Sequence, residues 1–202
     1  EPEDGDIYAQ HILSDGSLGW QSDGIGLTTV MGKQISPNIC SDGIDGAYVI
    51  WKDLNASSYG HVYGTHLSSS GALSSGTGIP LLSNDAYHNN VSIERVGTGD
   101  AVLVWSDDSI DDNADIRVQR INQNCQTLWS TPDEGGIFLC SEDFNQLYPK
   151  VTYYDENYSV FVWEDHRNST LDTYNNIIDQ SDIYFQFLDV NGNSMLEDNG
   201  EP

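Results

Sequence analysis

The densest group of potential metal ligands in the sequence is a run of aspartates. Asp107, Asp108, Asp111, Asp112 and Asp115 lie within nine residues. Carboxylates held in a short loop suit Ca²⁺, because this ion takes about six to eight oxygen ligands. Without a cation, carboxylates this close together would repel one another. These aspartates are therefore the candidate calcium ligands of the chain, although the composition by itself slightly favours a loop without metal. The alternative interpretation is a solvated acidic loop that binds no metal.

A second motif with chemical potential, Trp-x-Asp, occurs three times. Its copies are Trp51 with Asp53, Trp105 with Asp107, and Trp163 with Asp165. One interpretation makes the aspartates a ring of ligand carboxylates on one rim. In the other, the Trp packs between neighbouring sheets and the Asp accepts hydrogen bonds from the following turn. The motif recurs at the same phase in every copy, which favours the structural interpretation because a catalytic residue usually occurs once.

The Trp-x-Asp motif belongs to a longer repeat. Trp51 and Trp105 are 54 residues apart, and Trp105 and Trp163 are 58 apart. Each unit contains four apolar runs, named here A (around Ile39 in the first full unit), B (ending at Trp51), C (the Asp-Ile-Tyr type) and D (Gly-Ile-x-Leu). Short runs separated by Gly, Asn and Asp turns predict antiparallel β-structure. Four such strands in about 40 to 55 residues are typical of a β-propeller blade.

These units predict an all-β fold of propeller-like blades, with four short antiparallel strands per blade. The chain divides into a partial blade at 1–31, full blades at 32–85 and 86–143, and a partial blade at 144–202. Propellers usually contain about four to eight blades. We therefore expect this repeat region to be part of a longer chain or to be completed by another copy. An array of β-sandwiches is the alternative.

The repeat resembles the tandem β-propeller repeats of large secreted and cell-surface proteins of Bacteroidetes, which often end in a type IX secretion sorting domain. The resemblance covers nearly the whole chain. It is carried best by Asp6-Ile-Tyr-Ala-Gln10, Asp115-Ile-Arg-Val-Gln119, Trp129 and Trp163-Glu-Asp-His-Arg167. It implies a secreted or cell-surface location and a role as scaffold, adhesin or interaction module. It implies no set of catalytic residues.

Charge excludes several classes of partner. The 202 residues include 32 Asp and Glu against 7 Lys and Arg, which gives a net charge of −25. So acidic a surface repels nucleic-acid phosphates and anionic lipids, because affinity for both comes largely from Lys and Arg. No run of apolar residues is long enough to cross a membrane. We expect neither nucleic acid nor an inserted membrane segment, and the negative charge favours solubility and attraction of divalent cations.

Signals for enzymatic chemistry are weak. The serine-hydrolase, phosphate-loop and zinc-protease motifs G-x-S-x-G, G-x-x-x-x-G-K and H-E-x-x-H do not occur. The four arginines do not converge in the sequence as a sialidase would require. The three cysteines, Cys40, Cys125 and Cys140, form no CxxC pair. A Cys125–Cys140 bridge and three isolated core residues are both compatible with the sequence.

Together these features predict a non-enzymatic extracellular or cell-surface module that acts in adhesion, as a scaffold or in assembly. Its expected partners are other protein subunits, surface glycans or further blades, and Ca²⁺ is the one candidate cofactor. The alternative is a carbohydrate-binding or glycan-processing propeller whose site is completed by other blades. Tyr59, Tyr87 and Tyr174 are the candidates for stacking on sugars in that case.

Overall fold

The structure is a computed structural model that describes residues 5–55, 57, 59–84, 86–109, 113–129, 135–174 and 176–202. Its strands are β1 (Ile7–Ala9), β2 (Ile25–Thr28), β3 (Gln34–Ser41), β4 (Ala47–Asp53), β5 (His61–Leu67), β6 (Ile79–Leu82), β7 (His88–Val96), β8 (Asp100–Asp107), β9 (Asp115–Ile121), β10 (Ile137–Cys140), β11 (Gln146–Tyr153), β12 (Tyr158–Asp165), β13 (Thr170–Leu171), β14 (Ile177–Ile178) and β15 (Asp182–Asp189). The prediction of an all-β chain is confirmed. The described part contains no helix long and apolar enough to cross a membrane.

The strands form small antiparallel sheets in chain order. Two sheets have four strands, β3-β4-β5-β6 and β7-β8-β9-β10, each a meander in which every strand pairs with the next along the chain. Before them lies the pair β1-β2, and after them the three-stranded sheet β11-β12-β15. The short hairpin β13-β14 is inserted between the last two strands of that sheet. The described strands form no closed barrel and no closed propeller.

The buried side chains lie between consecutive sheets. One cluster joins β1-β2 to the sheet of β3–β6, a second joins that sheet to the sheet of β7–β10, and a third continues to β11-β12-β15. Whether a sheet has a neighbour on one face or on both determines which residues of its strands are buried. The central strand β8 is buried at seven consecutive positions, Ala101 to Asp107, because both of its faces are covered. In β12, burial instead falls mainly on alternate residues, as expected for a strand covered on one face.

The first strand of each larger sheet carries the same irregularity. Its pairing with the second strand shifts register between Ile35 and Asn38, between Asn89 and Ser92, and between Leu147 and Lys150. Within these bulges Ser36, Asn90 and Tyr148 have φ angles of 54°, 54° and 53°. A β-bulge bends a strand and redirects its side chains. Its recurrence shows that the repeat extends to backbone geometry that the residue types alone do not reveal.

The glutamine of the Asp-Ile-Tyr-x-Gln pattern holds the connection between the third and fourth strands of a unit. Gln119 Nε2 donates to the Trp129 carbonyl at 2.9 Å, and Gln119 Oε1 accepts from the Trp129 N–H at 3.0 Å. Gln186 makes the same pair of bonds, to the carbonyl of Glu197 and from the N–H of Leu196. A long amide side chain can replace a backbone partner in this way. In β5 the same position holds Thr65, whose hydroxyl donates to the Ser75 carbonyl at 3.0 Å.

Candidate functional site

The three tryptophans of the Trp-x-Asp motif are almost fully buried. Each lies two residues before the end of its strand. Trp105 Nε1 donates to Asp107 Oδ2 at 2.9 Å, and Trp163 Nε1 donates to Asp165 Oδ2 at 2.8 Å. The first copy differs. Asp53 Oδ2 accepts from Gln34 Nε2 at 3.4 Å, and the buried Trp51 Nε1 has no hydrogen-bond partner among the described residues.

The second carboxylate oxygen of each motif closes the turn that follows. The N–H two residues further on donates to Oδ1 of Asp53, Asp107 and Asp165 at 2.8, 3.0 and 2.9 Å, respectively. This is an Asx turn, in which a side chain replaces a backbone acceptor. In each copy the aspartate is therefore bonded within its own unit, with its carboxylate buried.

A buried polar residue of the first strand stands directly opposite each aspartate. The pairs are Gln34 with Asp53, His88 with Asp107, and Gln146 with Asp165. His88 Nε2 is 2.8 Å from Asn84 Oδ1 and 3.9 Å from Asp107 Oδ2. Burial lowers the pKa of His88 to about 4, although Asp107 acts in the opposite direction. At neutral pH this imidazole is therefore uncharged.

Arginines neutralise two of the aspartates, and their convergence is not visible in the sequence. Arg117 Nε lies 3.5 Å from Asp107 Oδ1, and the guanidinium stacks over Phe138 at 3.7 Å from the ring centre. Arg167 donates to both oxygens of Asp165 and lies over the ring of Tyr184 at 3.9 Å. A buried carboxylate needs such a partner because an uncompensated charge is costly in the interior. The sequence offers one cue for each: Arg167 follows Asp165 by two residues, and Arg117 lies in the run that pairs with the run ending at Asp107.

The carboxylates predicted to bind calcium do not share one role. Asp107 is buried, and both of its oxygens accept hydrogen bonds, from Trp105 and from Ser109. Asp108 Oδ1 accepts from the Tyr87 N–H at 2.8 Å, and Asp115 is buried opposite Asp107. Asp111 and Asp112 lie outside the described residues.

This distribution limits which residues could hold calcium. Asp107 could offer a metal only the lone pairs that its hydrogen bonds from Trp105 and Ser109 leave free. Across the residues for which the structure gives positions, no three His, Cys, Asp or Glu side chains form a group that could hold a metal ion. A site in this loop would draw on Asp108, Asp111, Asp112 and Asp115.

The three cysteines are free and buried. Cys40 and Cys125 belong to the core between the second and third sheets, whereas Cys140 belongs to the next core. The bridge between Cys125 and Cys140 that the sequence allows is therefore not formed, and the isolated-core alternative is what the structure has. Burial raises the pKa of Cys40 and Cys140 to about 12 and that of Cys125 to about 11, so the native thiols are poor nucleophiles.

One rim of the molecule carries exposed aromatic and apolar residues from the loops of several units. In an antiparallel meander, the connections from second to third strand and from fourth strand to the next unit lie at the same end. Tyr59 and Tyr87, one from each kind of connection, form an edge-to-face pair with ring centres 4.8 Å apart. The hairpin β13-β14 lies in the corresponding loop of the last unit and exposes Leu171, Tyr174 and Ile177.

A polar cleft of about 350 Å³ lies between the second and third sheets. Asn38, Asn89, Asn90 and Lys52 line it, together with the buried Trp51. Asn38 Nδ2 donates to the Val91 carbonyl at 3.2 Å and so connects the two bulged strands across the cleft. Partial burial lowers the pKa of Lys52. Amide groups beside an ammonium group offer several donors to a neutral polar or anionic ligand.

Comparison with known proteins gives no direct assignment for these features. The chain matches no family model, and no curated protein is significantly similar to it in sequence.

Proposed function

We propose that the chain is a series of β-propeller-type repeat units from a secreted or cell-surface protein. In this proposal it acts as a non-catalytic scaffold for adhesion or assembly, with the loop rim described above as the contact surface. Its partners are other proteins or surface glycans.

The packing of the first strands supports the propeller arrangement. Strand β7 contacts β3 on one side and β11 on the other. In a propeller the innermost strands of neighbouring blades approach one another around the axis in this manner. Each core cluster bridges two consecutive sheets, as expected for blades packed face to face.

The use of the recurrent polar residues supports a structural role for the repeat. The Trp-x-Asp carboxylates close turns, and the glutamines of the third strands hold loops. A side chain whose acceptors are filled inside its own unit is not available to a ligand. Function is therefore assigned to the parts that differ between units, which are the loops.

The hairpin β13-β14 is the observation that carries the proposal. It occurs only in the last described unit, and it exposes Leu171, Tyr174 and Ile177 at 56, 84 and 60%. Burying side chains of this kind is favourable, so an apolar group held away from the core on a hairpin marks a contact site for another macromolecule. Tyr174 supplies an aromatic ring with a hydroxyl, which suits either a protein or a sugar.

Bead adhesion tests this role. Beads coated with the whole chain would be presented to immobilised extracellular proteins and to a glycan array. We expect saturable adhesion to at least one surface, and loss of that adhesion in the triple variant Leu171→Ser, Tyr174→Ser, Ile177→Ser. In parallel, the chain would be incubated with a panel of glycosides, and we expect no turnover.

The matched control removes exposed apolar groups from the opposite rim by the substitutions Ile12→Ser, Leu13→Ser and Met195→Ser. This variant should adhere like the unmodified chain. Absence of adhesion to every surface would overturn the scaffold role. Glycoside turnover that survives the hairpin substitutions would assign the chain to the enzymes instead.

A carbohydrate-binding module is the second candidate. The exposed edge-to-face pair of Tyr59 and Tyr87 and the amide-lined cleft near Asn89 and Asn90 favour it, since aromatic faces and amides are common sugar-binding groups. On the glycan array, Tyr59→Ala with Tyr87→Ala should then abolish binding while the hairpin variant retains it.

A further inference from the structure

The polar cleft between the second and third sheets carries a positive charge in a strongly negative chain. Its volume of about 350 Å³ is at the lower end of the range for small-molecule sites. None of the described residues that line it is acidic, although the chain contains 32 Asp and Glu. Lys52 supplies an ammonium group to its wall. The cleft therefore offers an anion a local site on a molecule whose net charge repels anions.

The Lys52 side chain is held in place, but its charge is not neutralised. Its aliphatic stem lies on Gly60, where a Cβ would meet the Lys52 Cγ and Cδ at 2.8 and 2.9 Å. Within the described part of the chain, the Lys52 ammonium makes no hydrogen bond and no ion pair. Burial lowers the pKa of Lys52, and the charge of Asp108 offsets this only in part. An anion in the cleft would favour the charged form that burial disfavours.

The neutral polar groups of the cleft come from the bulges of β3 and β7. Ser36 and Asn90 occupy these bulges, both with a φ of 54°, and Asn89 precedes Asn90. All three residues are exposed and line the cleft. Their side chains form no hydrogen bond with other described residues. One hydroxyl and two amides offer both donors and acceptors to the hydroxyl groups of a ligand.

An apolar wall lies beside these polar groups. Pro37, which is exposed, lines the cleft together with Ile50 and Val62. Small-molecule sites typically combine an apolar wall with a few polar groups that fix the orientation of the ligand. A sugar ring fits this combination, because its faces carry C–H groups and its edge carries hydroxyl groups.

The polar residues of the cleft do not recur in the other units. Ser106 and Glu164 take the place of Lys52 in the next two Trp-x-Asp strands. Tyr148 takes the place of Asn90 in the bulge of β11. Residues that the fold requires recur in each unit, so a group of polar residues that occurs at one junction is better explained by a ligand.

We propose that this cleft binds a hexuronic acid, a sugar unit that carries one carboxylate. The carboxylate pairs with Lys52, the hydroxyl groups bind the amides of Asn89 and Asn90, and one face of the ring lies against Pro37. One ammonium group matches one negative charge, whereas a phosphate ester carries about −1.5 to −2 at pH 7 and would stay partly uncompensated. The inference goes beyond the scaffold role and gives the carbohydrate-binding candidate one defined class of ligand.

Titration of the whole chain with sodium galacturonate at constant ionic strength tests the proposal. Two-dimensional ¹H–¹⁵N NMR gives the affinity and the location of binding together. We expect saturable shifts at the backbone amides of residues 36, 38, 52 and 88–91. Galactose, which lacks the carboxylate, and acetate, which lacks the ring and its hydroxyl groups, should each bind at least about tenfold more weakly.

Two variants and one control identify the groups that bind. Lys52→Met keeps the aliphatic stem over Gly60 and should weaken galacturonate binding by at least about tenfold, because a charge-assisted hydrogen bond is lost. Asn89→Ala should weaken it by about threefold, the effect of one neutral hydrogen bond. Lys150→Met removes a positive charge from an exposed position of β11 and should bind galacturonate like the unmodified chain. The dispersion of each NMR spectrum shows whether the variant is folded.

Three outcomes would overturn the proposal: no saturable shifts, shifts confined to residues outside the cleft, or equal weakening by Lys52→Met and Lys150→Met. Acetate binding as tight as that of galacturonate would also overturn it, because the site would then select a carboxylate and no sugar. None of these results bears on bead adhesion through the hairpin or on glycan binding by Tyr59 and Tyr87. Failure here is therefore distinguishable from failure of either proposed function.

Discussion

Arg167 donates to both carboxylate oxygens of Asp165, with Nε 2.9 Å from Oδ1 and Nη2 2.6 Å from Oδ2. The aspartate is fully buried, and the guanidinium also donates to the Asn199 carbonyl at 2.7 Å. Burial by itself would raise the pKa of Asp165, but the hydrogen bonds from Arg167 and Trp163 hold it below its ordinary value. The last Trp-x-Asp motif is thus completed by a residue two positions further along the chain.

Removing Arg167 should therefore destabilise the fold through the charge left behind. We expect Arg167→Leu to lower the free energy of unfolding by about 3 kcal/mol at pH 7, the lower part of the range for breaking a buried ion pair. Urea denaturation measures this value. The control Lys150→Gln removes an exposed charge from the same sheet and should stay within about 0.5 kcal/mol of the unmodified chain. Equal stability of the two variants would contradict the assigned role of Arg167.

The buried His88 predicts a stability change between pH 6.5 and pH 4. Its pKa is about 4 in the folded chain and near 6.5 when unfolded, so the unfolded state binds a proton first as the pH falls. Its contribution is present above pH 6.5 and is lost as the pH falls towards 4, by up to about 3 kcal/mol.

His88→Gln isolates this effect, because Gln occupies the same position in the other two units. We expect this variant to show a nearly flat stability between pH 6.5 and 4.5 in urea titrations. Below pH 4 both chains should lose stability, since Asp42, Asp165 and Asp189 have lowered pKa values in the folded state. An unchanged slope in the variant above pH 4.5 would show that another group titrates.

The close approach of the Trp105 ring to Gly136 leaves no space for a side chain at position 136. The φ of Gly136 is +77°, and a Cβ there would lie 2.4 Å from the Val118 carbonyl oxygen and 2.9 Å from the Trp105 ring. Gly136→Ala should destabilise by about 2–4 kcal/mol, from backbone strain and overpacking together. Gly76→Ala is the control, because no atom lies within 4 Å of a Cβ at that position. Differential scanning calorimetry measures the melting temperature of both variants. Similar melting temperatures would contradict the steric requirement for glycine at position 136.

If the aspartate loop binds calcium, the ion should stabilise the folded chain. At a calcium concentration ten times the Kd, binding to the folded state alone adds about 1.4 kcal/mol, and EDTA should remove this increment. The double variant Asp108→Asn, Asp112→Asn should lose the response, whereas Asp198→Asn, near the end of the chain, should keep it. A melting temperature that neither calcium nor EDTA changes would exclude the site.

Several features of the fold could be predicted from local patterns. The Trp-x-Asp runs are strands β4, β8 and β12, and the Asp-Ile-Tyr-type runs are strands β1, β5, β9 and β15. Alternation of apolar residues and the spacing of turn residues are sufficient for this, because both act over a few neighbouring positions. The hairpin β13-β14 was not predicted. Its sequence is polar except for short apolar pairs, and two-residue strands leave no periodic signal.

The chemistry of the aspartates could not be read from the same patterns. Asp107 belongs both to an acidic run and to a Trp-x-Asp motif, and the sequence allows a metal ligand or a turn acceptor. In the structure its hydrogen bonds from Trp105 and Ser109 show the role of turn acceptor. Likewise, His88 and Gln146 are dissimilar in sequence but share one buried position, because both stand opposite an aspartate.

The sequence by itself determined the repeat, its strands and the acidity of the surface, since these depend on residue type and short-range spacing. Only the tertiary structure decided which carboxylates are neutralised by Arg117 and Arg167, and which indole N–H finds its own aspartate, as those of Trp105 and Trp163 do. The physical reason is that burial and ion pairing depend on neighbours far away in the chain. Identical motifs therefore acquire different roles according to whether another sheet covers them.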